Sequence, residues 1–204
     1  MNLLLEPLPS FRQTIYSACH DMAKICRVLS ENDAFAAAVE QAIEICVKSL
    51  KNQGTIFFGG NGGSAADSQH LAGELVSRFL INRAPLRSVA LNADTAILTA
   101  VGNDYGYEQS LARNLSALAR PGDVLIVLTT SGASKNVIVA LEAAKTAGLV
   151  TIGFTGRDGG QIPPLCDLEL RAPSRSTPRI QEVHLLTGHL LCEGIEQQMF
   201  PGAA

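Results

Sequence analysis

Tryptophan is absent from the 204-residue sequence, and aromatic residues make up only 5% of it. A platform that stacks nucleic-acid bases on aromatic rings is therefore not expected. There is no excess of basic residues: 16 Lys and Arg stand against 19 Asp and Glu, a formal charge of −3, which argues against a general polyanion or nucleic-acid binder. No stretch approaches the ~18 uninterrupted apolar residues of a transmembrane helix, so no membrane partner is expected. The opening Met1–Pro7 has no basic segment and too short an apolar run for a secretory signal. Cysteine is sparse and irregular. Cys19, Cys26, Cys46, Cys166 and Cys192 form an odd, widely spaced set with no C-x-x-C, which points to a reduced, cytoplasmic setting. With 18 Gly and 9 Pro, collagen-like and low-complexity readings also fall away.

What remains is 47% hydrophobic and 17% charged, enough to bury the core of one domain. Residues 11–50 read as two helices. Ile15, Ala18, Met22, Ile25, Cys26 and Leu29 recur at three-to-four spacing in the first, and Val39, Ala42, Ile43, Cys46, Val47 and Leu50 in the second. Asn32 or Asp33 is the expected cap between them. Residues 1–52 thus form a helical extension suited to packing on the main domain or on another subunit. From residue 54 the pattern becomes short apolar runs alternating with helices. Strands are expected at Thr55–Phe58, Ser88–Leu91, Val124–Leu128, Val150–Phe154 and Leu168–Leu170. Helices are expected from Ser64 to about Phe79, over Thr95–Val101, Gly106–Ala119 and Val137–Ala147, and from Pro178 to about Met199. This order predicts an α/β fold, a five-stranded parallel sheet covered by helices on both faces. Ligands of such sheets lie beyond the carboxyl ends of the strands.

Two loops fall at those ends. Gly59–Ser64 has four glycines in six residues, which permits close backbone approach to a ligand, and Ser64 is positioned to cap the next helix. The loop is neither a dinucleotide fingerprint nor a P-loop, for which the lysine is missing. A tight strand-to-helix turn would need no ligand at all. The second loop places Thr129, Thr130, Ser131 and Ser134 within six residues, more hydroxyls than one helix cap requires. Hydroxyls and free N–H groups at a helix start surround a phosphate without any lysine. Together the loops point to a small phosphorylated ligand.

The titratable residues sit on the two flanking helices. His70 and Glu74 are i, i+4 and share a face, as suits two metal ligands, a ligand and a base, or a plain surface pair. The last helix carries Gln181, Glu182, His184, His189 and Glu193 among apolar residues. Gln181 and His189 are eight residues apart, ~12 Å along one helix, so a metal shared between them needs near-maximal reach or a second chain. On spacing alone, His184 and His189 read equally as structural histidines or ligands. Asn103-Asp104 reads as a turn in the polar break Gly102–Gly106.

Five ordered blocks resemble one family: GNGGSAADSQHLAGELVSRF (60–79), VGNDYGY (101–107), TTSGAS (129–134), FTGRDGG (154–160) and RIQEVHLLTGH (179–189). They are similar to the bacterial phosphoheptose isomerases, which are sugar-isomerase (SIS) domain proteins, over residues 54–200. The resemblance implies a three-layer, flavodoxin-like α/β/α sandwich with N-terminal helices. It implies conversion of D-sedoheptulose 7-phosphate to D-glycero-D-manno-heptose 7-phosphate for lipopolysaccharide or related glycans. It also implies a cytoplasmic homotetramer with active sites at subunit interfaces and one zinc per subunit. Residue by residue, Asn61, Gly62, Gly63 and Ser64 would contact substrate, and Thr129, Thr130, Ser131 and Ser134 would hold its phosphate. Asn103 and Asp104 would contact the sugar, replacing the turn reading. His70, Glu74, Gln181 and His189 would be the zinc set, with Glu74 and Gln181 also touching substrate. Thr129 and Ala133 depart from the serine and asparagine common in the family; Ala133 gives up a hydrogen-bonding side chain.

The implied chemistry moves a proton between C1 and C2 through an enediol(ate), with Glu74 as the carbon base and His189 as the second proton carrier. Zinc would polarise the oxygens. A non-catalytic relative that binds the bacterial replication initiator is the rival reading. That relative resembles versions lacking the equivalents of Glu74 and His189, whereas this chain has both. A sugar-phosphate-sensing regulator ranks last, because no DNA-binding module accompanies the domain.

Overall fold

The computed structural model describes residues 10–202. The chain divides into two compact units, the first ending at Asn32 and the second running from Asp33. The first contains α1 (Phe11–Ser30). Ser10 and Gln13 close a capping box at its start. Of the apolar stripe expected on α1, Ile25 and Leu29 are buried, while Ile15 and Cys26 are exposed.

The second unit begins with α2 (Asp33–Lys51) and β1 (Ile56–Gly60), followed by α3 (Gly63–Val76), β2 (Ser88–Ala90), α4 (Thr95–Tyr105) and α5 (Ser110–Leu118). It continues with β3 (Val124–Leu128), α6 (Lys135–Thr146), β4 (Val150–Thr155), β5 (Leu168–Arg171) and α7 (Thr177–Met199). The five strands are all parallel, in the order β2-β1-β3-β4-β5. Side chains alternate between the faces as a pleated sheet requires. Ile56, Phe58, Val124, Ile126 and Leu128 point into a core shared with α2, α3 and α7. Phe57, Leu125 and Val127 point into a second core under α5 and α6. The result is the expected three-layer α/β/α sandwich. The second helix of the expected extension belongs to it: Val39, Ala42, Ile43, Cys46, Val47 and Leu50 are all in the first core. Cys46 and Cys192 are buried there as thiols, and burial pushes the Cys192 pKa up to about 12. Among the described residues no helix is long and apolar enough to cross a membrane.

Three local expectations give way. Asn103-Asp104 is not a turn. Asp94 caps α4 by accepting the Ile97 N–H, and the helix runs through Tyr105 until Gly106, at φ 89°, ends it. The segment expected as one helix from Gly106 starts as a single 3₁₀ turn, Tyr107–Gln109, before α5. Ser64 is not the cap of α3. Gly62 holds that position at φ 56°, while Ser64 is buried in the first turn.

The end of α3, at Val76 rather than Phe79, has a distant cause. Glu196 on α7 accepts the N–H groups of Phe79, Leu80 and Ile81 at 2.8, 2.8 and 3.2 Å and pairs with the Arg83 guanidinium at 2.9 Å. Those N–H groups would otherwise bond back to α3. Arg83 in turn donates to the carbonyls of Glu74, Leu75 and Ala84. The Arg83 and Glu196 side chains are 1% and 2% exposed, so this ion pair works as a buried brace between the α3 exit loop and α7.

Candidate active site

Strand order reverses between β1 and β3, and the open crevice of a parallel sheet lies at such a reversal. Gly60 is in register with Leu128, so the two hydroxyl- and glycine-rich loops leave the sheet side by side. In the first, the N–H groups of Ala65 and Ala66 bond the Gly62 carbonyl. The Gly63 and Ser64 N–H groups have no acceptor among the described residues, which makes them anion donors at a helix start. In the second, Thr129 is buried and its Oγ1 accepts the Gly132 N–H, while Ser131 Oγ accepts the Ala133 N–H. Gly132, at φ 65°, lies against the Gly159 carbonyl where a Cβ would collide, and its own carbonyl accepts the Gln161 N–H. The FTGRDGG segment thereby braces the second loop from behind. Thr129 is committed to shaping this loop. Thr130 and Ser134 are half-buried and Ser131 is exposed at its rim.

A clasp that the sequence did not reveal joins the loops. Asn61 Nδ2 donates to Asn136 Oδ1 at 2.7 Å, and Asn136 Nδ2 donates back to Asn61 Oδ1 at 2.8 Å. The Tyr107 hydroxyl also donates to Asn61 Oδ1, at 2.8 Å. Asn136 is buried in the first turn of α6. The one available signal was a poor helix former in a helix that is otherwise apolar on its inner face. Asn103 and Asp104 lie exposed on the last turn of α4, bonded to each other at 2.7 Å.

The imidazoles and carboxylate lie farther along α3. This helix and α7 run side by side in the same direction, as shown by the pairings Gly63 with Gln181, Leu71 with Gly188, and Phe79 with Glu196. Gly188 has no room for a Cβ against Leu71, so the helices approach closely at that level. There His70 Nε2 lies 2.9 Å from His189 Nε2 and 3.5 Å from Glu74 Oε1. Phe79 stacks on the His189 ring at 5.4 Å. Glu74 is 22% and His70 43% exposed, so the group opens to solvent. Burial raises the pKa of nearby Asp67, opposed by the charge of His70.

Gln181 does not join this group within one chain. It lies over Gly63 at the start of α3, two helical turns from His189. That separation puts it beside the first phosphate-type loop. His184, the alternative to His189, is 1% exposed, bonded through Nε2 to the Thr155 carbonyl at 2.9 Å and packed edge-on against Phe154. It is a structural histidine.

Burial holds the His184 pKa at about 4, against a weaker upward pull from the Thr155 carbonyl. An unfolded chain therefore takes up a proton near pH 6.5 that the folded chain refuses until about pH 4. Stability is then full above pH 6.5 and declines through that window, by about 3 kcal/mol at its acid end. Urea midpoints measured from pH 7.5 to 4.5 should fall less steeply in His184→Gln than in the parent. Equal slopes would refute the assignment.

The chemistry of the donor set suits a borderline cation. His70 Nε2 has a second imidazole nitrogen and a carboxylate oxygen beside it, and a tetrahedral zinc with bonds of about 2.0–2.1 Å spaces its ligand atoms roughly 3.3 Å apart. The observed 2.9 and 3.5 Å bracket that value. Among the described residues no group of three or more His, Cys, Asp or Glu side chains is arranged to hold a metal ion; His70, Glu74 and His189 form an open arc centred on His70.

The loops, the sheet reversal and the arc lie on an α/β scaffold of the SIS type. The SIS domain family model matches residues 19–156. Phosphoheptose isomerase from Burkholderia pseudomallei is 45% identical over 186 residues, covering 91% of this chain and 94% of that protein. The Nitratiruptor enzyme of the same name is 54% identical over 153 residues, covering 75% and 82%. The solved structure of a phosphoheptose isomerase from Francisella tularensis superposes with a TM-score of 0.89 at 36% identity, covering 93% of this chain and 100% of that one. The chain belongs to the phosphoheptose isomerase family of SIS-domain proteins.

Proposed function

We propose that this chain is an aldose–ketose isomerase that converts D-sedoheptulose 7-phosphate to D-glycero-D-manno-heptose 7-phosphate. The observation that carries this reading is that His70 and Glu74, on the helix that starts in a glycine-rich anion loop, meet His189 of α7 beside them. The Gly63 and Ser64 N–H groups and the rim hydroxyls Thr130, Ser131 and Ser134 hold the phosphate. Asn61, Gly62 and Gln181 contact the sugar next to it, and Asn103 and Asp104 contact its far side.

Glu74 lies about 15 Å along its own α3 from Ser64, so the open-chain ketose, with its phosphate fixed, presents C1 to a Glu74 carboxylate across a subunit interface. The carboxylate takes a proton from C1, the electron pair shifts to give an enediolate, and the proton returns at C2. His189 moves the second proton between O1 and O2. His70 and the Phe79 ring hold the His189 imidazole in place. His70, Glu74 and His189 are the ligands this chain offers to zinc, with Gln181 assigned to the substrate. Zinc, when bound, supplies electrophilic stabilisation of the developing oxyanion. Active sites at subunit interfaces of a homotetramer, a cytoplasmic location and a product that feeds lipopolysaccharide or a related glycan complete the proposal.

Purified protein incubated with sedoheptulose 7-phosphate should form aldoheptose phosphate. Dialysis against a chelator should lower the rate at least tenfold, and zinc should restore it. A folded, zinc-supplied protein that forms no aldose would refute the activity. A rate indifferent to chelation and zinc would refute the metal assignment alone.

A further inference from the structure

The hydrogen-bond pattern around Asn61 determines what that side chain has left to offer a ligand. Its Oδ1 accepts from both Asn136 Nδ2 and the Tyr107 hydroxyl, each at 2.8 Å, which uses both lone pairs. One Nδ2 hydrogen goes to Asn136 Oδ1 at 2.7 Å. A single N–H remains. Asn136 is 3% exposed, and its amide also reaches the fully buried Ser110 hydroxyl at 3.5 Å, so it is anchored from behind. It lies in the first turn of α6, just after the second loop, whereas Asn61 belongs to the first. The amide pair therefore fixes one loop against the other, and Tyr107, from the turn after α4, holds the same amide from a third side.

We propose that Asn136 and Tyr107 are positioning residues that lock the Asn61 amide with its one free N–H toward the substrate, so that Asn61 acts only as a hydrogen-bond donor to a substrate oxygen. This rests on the isomerase reading and deepens it. The three elements meet at a single amide, so the loops reach binding geometry before substrate arrives. Asn61 then recognises an acceptor, a phosphate, carbonyl or hydroxyl oxygen, and rejects a donor.

The test is a double-mutant cycle on kcat/KM with sedoheptulose 7-phosphate. Asn136→Ala and Asn61→Ala should each cost about tenfold, and the double variant little more than either alone. Tyr107 is exposed, so Tyr107→Phe keeps the fold and should cost about threefold, an effect that disappears in the Asn61→Ala background. Asn61→Asp keeps the acceptor for Tyr107 and Asn136 but loses the donor, and should be at least as impaired as Asn61→Ala. Losses that multiply across the cycle, or an Asn61→Asp variant of parental activity, would overturn the proposal. Wild-type turnover is the internal control. If wild type itself is inactive, the isomerase reading fails separately, and the same cycle read as sedoheptulose 7-phosphate affinity by calorimetry still decides whether Asn136 and Tyr107 act through Asn61.

Discussion

Glu74→Gln lowers kcat for heptose-phosphate isomerisation by about 10²–10⁴-fold, the range over which a positioned general base accelerates proton transfer. Gln has nearly the shape of Glu and keeps an oxygen near His70, but it does not accept a proton from carbon. The phosphate loops are more than two turns away at the other end of α3, so KM changes little. Glu74 is partly exposed and pairs with His70 at 3.5 Å, so the stability change stays within about 0.5 kcal/mol. Steady-state kinetics with a parallel denaturant titration separates the two effects. A Glu74→Gln enzyme retaining more than a tenth of parental kcat would remove Glu74 from the proton path. Equal loss of kcat and stability would reduce it to a folding residue.

Glu196→Ala destabilises the protein by about 3–5 kcal/mol, because it leaves the Arg83 charge buried without its partner. The three N–H groups of Phe79, Leu80 and Ile81 lose their acceptor in the same step. Desolvation raises the Glu196 pKa, but those N–H groups and Arg83 outweigh it and hold the carboxyl below its ordinary value. Its contribution is therefore present at neutral pH and fades as acid protonates it. Replacing both partners with apolar residues, Arg83→Met with Glu196→Leu, should recover part of the loss. Urea titration at pH 7.5 checks both variants. A loss below about 1 kcal/mol in Glu196→Ala would show that the brace does not hold the loop. Phe79 rests on His189, so loosening this loop should also impair turnover before the protein unfolds.

These two residues mark the boundary of what the sequence made legible. The strands were readable because β1 and β3 are buried on both faces and appear as unbroken apolar runs. The two loops were readable because their composition is extreme over six residues. The pairing of His70 with Glu74 follows from helical spacing alone. Arg83 and Glu196, by contrast, are separated by more than a hundred residues, and each looks like an ordinary surface charge in its own window. Asn136 and Tyr107 were missed for the same reason: their meaning lies in Asn61, 75 and 46 residues away. The turn expected at Asn103-Asp104 rested on local polarity, yet the Asp94 cap and the absence of a stop before Gly106 keep that stretch helical. Spacing could not choose between His184 and His189. Packing did, by burying one against Phe154 and bringing the other to His70.

The central claim is a proton transfer between adjacent carbons of a phosphorylated ketose. Its most direct test is the reaction of sedoheptulose 7-phosphate with zinc-supplied protein in D₂O, followed by proton NMR. The account predicts aldoheptose 7-phosphate with solvent deuterium at C2, because a carboxylate open to solvent exchanges the proton it carries. No product from a folded protein, or product that carries deuterium at carbons other than C1 and C2, would contradict it.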